Sequence, residues 1–160
     1  MSGVTGAELA GHPFLSGLDA GQAGCLAAAA TAVSVPAGHR FFEEGGTAAS
    51  FWLIRTGHVA LDLHLPGRAP LIIETLGADD LVGLSWASPQ REWQHGAVAV
   101  QPTQAYEFDA AAVLLACDED PDMGYKLIRR LMGVAAQRMH SSRIRMLDLY
   151  ASPAQRGGRP

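Results

Sequence analysis

The chain predicts an α+β fold that is mainly β, with a strand-rich centre held between helical ends. Three patterns carry this. Apolar residues alternate with period two from Arg40 to Phe108. Glycine-bearing turns punctuate that stretch at Gly45-Gly46, Thr56-Gly57, Pro66-Gly67 and Gly77-Ala-Asp79. Outside it, apolar residues recur at three- and four-residue steps. Several short strands at such spacing indicate a barrel or sandwich.

Taken in order, residues 1–11 read as an N-terminal arm and His12 to Val33 as helical, with Leu15, Leu18, Cys25, Leu26 and Ala29 on one face. Asp19 followed by Gln22 forms a capping-box pattern. Strands are expected over Arg40–Glu43, Phe51–Arg55, His58–His64, Pro70–Leu76, Leu81–Gly83, Ala97–Val100 and Gln104–Asp109. Asp109 can cap a short helix over Ala110–Cys117. Pro121, after Asp118-Glu-Asp120, opens a longer helix reaching Tyr150. Its Leu127, Leu131, Val134 and Met139 form an apolar stripe suited to a two-fold mate or to the domain's own sheet. Residues 151–160, rich in Gly, Pro and Arg, read as a disordered tail.

The 160 residues suffice for one domain, 12–150, with a sizeable core. An apolar content of 48% and a charged content of 18% belong to a globular protein. No apolar run is long enough to span a membrane, and Met1 to Ala10 lacks the pattern of a secretory signal, so the cytoplasm is expected. Cys25 and Cys117 show no metal-type spacing; two buried thiols are the preferred reading, with a disulfide left open. The net charge of −4 conceals a polarity, since Lys126 onward carries eight basic residues against the single acid Asp148. A solvated helix face explains that best, with contact to an acidic partner or nucleic acid as the other reading. The six histidines form no catalytic or metal constellation, and neither a phosphate-binding loop of hydrolase type nor a nucleophile elbow is present, so no enzyme and no metal are expected.

The landmarks Phe14-Leu-Ser-Gly-Leu18, Pro36-Ala-Gly38, Phe41-Phe-Glu-Glu-Gly45, Phe51 to Leu61 with Gly57 at the turn, and Leu76-Gly77 followed by Gly83 come in a telling order. Together they resemble the cyclic nucleotide-binding domain of catabolite activator-type regulators. The resemblance implies a double-stranded, jelly-roll-like β-roll flanked by an N-terminal helix and C-terminal helices, the last one long. It also implies a phosphate-binding loop that opens with Gly-Glu and closes with Arg before Ser or Thr. Here that loop is Gly83 to Ala97: Gly83 matches, Leu84 stands for the glutamate, and Gln94 and His95 stand for the arginine and serine. A lost charge-assisted contact weakens binding by about 1.5–3 kcal/mol, and two such losses by a few orders of magnitude.

Arg91 is the one cation in the loop that could stand in, the bland reading being a solvated residue paired with Glu92. Ser85 could donate to an anion, though loop serines usually bond nearby backbone. Trp86 and Trp93 could stack on a flat ligand or anchor an interface, but packing that plugs an empty pocket is preferred. The resulting expectation is a stand-alone regulatory module that senses a small ligand, cyclic AMP or cyclic GMP or another, and signals through a protein partner. A ligand-free interaction scaffold on the same roll is the alternative. The resemblance further implies a homodimer through the long helix. Too few residues follow that helix for a helix-turn-helix, so no specific DNA binding is expected.

Overall fold

The computed structural model describes residues 3–151. The first helix, α1 (Gly6–Ala10), lies in the expected arm. A capping box forms it: the Thr5 hydroxyl accepts from the Glu8 N–H while the Glu8 carboxylate accepts from the Thr5 N–H. Leu9 anchors it in the core. A 3-10 turn, Pro13–Leu15, and α2 (Ala20–Ala28) follow, α2 opening at the Asp19–Gln22 capping box.

The helical reading to Val33 is corrected here, because the chain leaves α2 at Ala28 and becomes strand β1 (Ala30–Val35). Thr31, Val33 and Val35 alternate as β-branched residues, which fit a pleated surface better than a helix. The remaining strands are β2 (Arg40–Phe42), β3 (Ser50–Thr56), β4 (Val59–Leu63), β5 (Leu71–Leu76), β6 (Leu81–Val82), β7 (Gly96–Ala99) and β8 (Thr103–Asp109). All pair antiparallel, in two four-stranded sheets ordered β1-β8-β3-β6 and β2-β7-β4-β5. The β3–β4 turn needs glycine: Gly57 has φ +97°, and a Cβ there would lie 2.5 Å from the Pro102 carbonyl oxygen.

Alternation along β3 divides its side chains between two jobs. Trp52 meets Phe41 and Phe42 of β2 and so fills the space between the sheets. Phe51, on the other face, stacks on Phe108 of β8 and on Trp86.

Two helices close the fold. Asp109 caps α3 (Ala110–Glu119), its carboxylate accepting from the Ala112 N–H. α4 (Pro121–Ala151) then runs 31 residues. Ala151 therefore ends a helix, and the rest of the expected tail, 152–160, lies outside the described residues.

α4 buries Met123, Leu127 and Leu131 against the domain, at four-residue steps. Val134 is half-buried on the same core, whereas Met139 is exposed. Polar ties fix the helix along its length. Lys126 pairs with Asp122 at 2.9 Å and donates to Gln22 Oε1, and Arg130 donates to the Ser16 carbonyl oxygen at 2.7 Å. Further on, Arg138 donates to the Leu81 carbonyl oxygen and Arg145 to that of Ile73, and both lie near Glu74 of β5. Two of the basic residues considered for a nucleic-acid contact are thus turned onto the domain. Cys25 and Cys117 are free thiols, and Cys25 is exposed rather than buried.

Candidate functional site

The loop from Gly83 to Gly96 leaves the end of β6, crosses a 3-10 turn (Ser85–Ala87) and returns to β7. Gly83 has φ +90°, in the left-handed region that favours glycine. A Cβ at Gly83 would lie 2.8 and 2.9 Å from two ring carbons of Trp93. The niche beside that glycine therefore holds an indole. Trp93 is 3% exposed and stacks on Phe42, which in turn stacks on Trp52 with centroids 5.8 Å apart.

Backbone pairing holds Trp93 in place. Its N–H donates to the Gly46 carbonyl oxygen at 2.9 Å, and its carbonyl accepts from the Gly45 N–H at 2.8 Å. The segment before β3 thus serves as a short partner strand for the returning loop, with Thr47 bridged to Glu92. Trp86, 2% exposed, packs on Phe51 with centroids 4.3 Å apart, and its indole nitrogen is buried without a hydrogen-bond partner.

The other loop residues take separate roles. Leu84 is half-buried against the core, and Ser85 begins the 3-10 turn, its carbonyl accepting from the Ser88 N–H. Arg91 has φ +48°; its N–H donates to the Ser88 carbonyl and its own carbonyl accepts from the Ala48 N–H at 2.7 Å. It is half-buried, with its Nε enclosed and unpartnered, and among the described residues it makes no ion pair with Glu92. Gln94 is exposed and donates to the Glu92 carbonyl. The backbone of Arg91 is thus tied to Ser88 and Ala48.

His95 is half-buried, its Nδ1 3.2 Å from the Gly96 carbonyl oxygen. Burial pushes its pKa down; the Gly96 contact, Asp62 and Glu74 oppose that, while Arg138 adds to it. His95 consequently sits in a charged cluster drawn from β4, β5 and α4. Beside it, Arg40 Nη1 donates to both oxygens of Asp62, at 2.9 and 2.8 Å, and its Nε meets Glu43 at 2.9 Å. Gly96 leaves room for this pair, since a Cβ there would lie 2.5 Å from the Asp62 carboxylate. Arg40, Asp62 and Glu74 were not anticipated from sequence, nor was the approach of Arg138 to Glu74. Asp62 had one visible signal, as the lone acid inside an apolar strand pattern. The Arg138–Glu74 approach depends on how α4 lies on the roll and has no local signal.

Two four-stranded antiparallel sheets, a short helix in front and a long one behind, with a Gly-led loop between β6 and β7, define a double-sheet β-roll. The family model of the cyclic nucleotide-binding domain matches residues 32–120, and the chain belongs to that family. No curated protein matches this sequence. Solved structures share the fold. A cyclic nucleotide-binding domain from Methylobacillus flagellatus KT is 20% identical, with a TM-score of 0.74 over 91% of this chain and 79% of that one. The sensor domain of the transcriptional regulator DNR from Pseudomonas aeruginosa is 22% identical, with a TM-score of 0.67 over 82% and 89%. Catabolite activator protein from Thermus thermophilus, also 22% identical, has a TM-score of 0.67 over 87% of this chain and 63% of its own.

Proposed function

We propose that this chain is a non-catalytic regulatory module acting through protein contact, on a cyclic nucleotide-binding fold whose nucleotide niche is filled by its own Trp93. The 2.8 Å approach of Trp93 to the Cβ position of Gly83 carries this reading. A cyclic phosphate needs backbone N–H groups and a cation in an open, polar recess. Here the recess holds a stacked indole, Leu84 offers no carboxylate, and Gln94 and His95 offer no arginine. On these grounds we take the scaffold reading over a cyclic AMP or cyclic GMP sensor.

The proposed partner is a second copy, joined through α4. Tyr125, Ile128, Met132, Ala135, Met139, Ser142, Met146 and Leu149 recur at alternating steps of three and four. Of these, Met132, Met139 and Met146 are 64, 57 and 57% exposed, so the outward seam remains available while Leu127 and Leu131 serve the domain's own core. Calorimetric titration with cyclic AMP and cyclic GMP tests the filled niche. No binding heat is expected up to millimolar nucleotide, and micromolar binding by the unaltered chain overturns the reading.

A further inference from the structure

Trp52 ends the stacked run Trp52–Phe42–Trp93 and also borders a second opening in the roll. There a cleft of about 770 Å³ opens between β1 and β2, the first strands of their respective sheets. Its walls include Val33, Val35, His39, Phe41, Trp52 and Glu107. That volume suits a small organic molecule.

Glu107 is the informative residue. It lies in β8, a central strand, directly opposite Trp52 of β3 and Thr31 of β1. Paired positions across antiparallel strands place their side chains on one face, about 5 Å apart at Cβ. A half-buried carboxylate normally has a cation or donors beside it. The Glu107 carboxylate has neither among the described residues. Arg40 also lines the cleft, but its guanidinium is held by Asp62 and Glu43. A carboxylate without a direct partner among the described residues is left beside aromatic rings: Phe41 sits edge-on to Trp52 at 5.3 Å and to His39 at 5.2 Å.

We infer that this cleft binds a small organic cation, an ammonium group carried on an apolar body. The ammonium pairs with Glu107 and lies against the half-buried ring of Phe41, beside Trp52, where the negative ring face attracts it. The apolar body lies along Val33, Val35 and Phe41. An anion is repelled by Glu107, and a neutral molecule leaves the carboxylate unpaired. This site shares no residue with the Gly83 loop, so it stands whether or not that loop takes a nucleotide.

The test follows the three indole N–H signals of the 15N-labelled full chain by NMR during titration with benzyltrimethylammonium chloride. A saturating shift of the Trp52 signal at submillimolar probe is expected, with Trp86 and Trp93 moving less. Glu107→Gln should weaken binding at least tenfold. Benzyl alcohol and benzenesulfonate, which need no altered protein, should give no saturating shift. The inference is overturned if the probe gives no saturating shift at Trp52, if Glu107→Gln binds within twofold of the unaltered chain, or if benzenesulfonate binds equally well.

Discussion

The indole of Trp93 stacks on the ring of Phe42 with centroids 3.7 Å apart and planes 10° from parallel. The same indole lies over Gly83, so a ring, a strand and a glycine depend on one another. Trp93→Ala removes a buried aromatic and should lower stability by about 3–5 kcal/mol. Gly83→Ala should lower it by about 1–3 kcal/mol for the positive φ alone, and further for the clash. In the double variant the clash is gone but the φ penalty remains, so the combined loss should fall short of the sum. Urea unfolding of the four proteins measures this; strict additivity would show that Trp93 and Gly83 do not compete for one space.

Much of this arrangement was legible beforehand, and the exceptions have physical causes. The period-two pattern located seven strands, because each has a buried face and an adjoining turn residue. β1 was lost because Leu26, Ala29 and Val33 continue a helical spacing across the boundary, although Thr31, Val33 and Val35 already alternate. α1 was lost although Thr5 and Glu8 spell a capping box, since one buried leucine makes too short a pattern. In the loop, the departures at Leu84, Gln94 and His95 could be read residue by residue. That Trp93 would be the ring to occupy the niche could not, since it depends on pairing with Gly45 and Gly46 some 47 residues earlier.

His12 makes stability depend on pH. Its Nδ1 accepts from the Phe14 N–H at 3.2 Å, which leaves the proton on Nε2, 3.3 Å from the Ile54 carbonyl oxygen. Burial lowers its pKa, against opposing effects of the Ile54 contact, Asp79 and Asp80. His95 is lowered for the same first reason. Both rings are therefore held neutral when folded, and the unfolded chain takes up protons more readily. Their contribution is complete above the ordinary histidine pKa of about 6.5 and is lost as pH falls through the lowered folded values. The urea midpoint should drop between pH 7.5 and 5.0, and replacing both histidines by glutamine should flatten that drop. An equal drop in the double variant would assign it to other groups.

The Arg40–Asp62 pair should behave as a buried charge with one essential partner. Asp62 is 4% exposed, and both its oxygens accept from Arg40. Arg40→Met strands that carboxylate and should lower stability by about 3 kcal/mol, near the low end for such pairs because the Arg40 side chain is 29% exposed. Adding Asp62→Leu removes the stranded charge and should recover most of the loss. Thermal unfolding of the single and double variants checks this. A double variant no more stable than Arg40→Met would mean that the pair also organises the start of β7 at Gly96.

The outward seam of α4 yields the sharpest test of assembly. Its apolar residues recur with the heptad step while the inner stripe of Met123, Leu127 and Leu131 is already occupied. Charges placed on the seam should therefore break association and leave the domain folded. The double substitution Met132→Glu and Met139→Glu brings four carboxylates together across a two-fold axis. Light scattering coupled to size exclusion should then show a monomer mass where the unaltered chain shows a dimer. Unfolding of the monomeric variant should remain cooperative, since neither methionine belongs to the buried core. The control is Leu127→Glu, which enters the core and should unfold the domain itself rather than merely separate the copies. A monomeric unaltered chain would remove the second copy as the partner and leave the seam to a different protein.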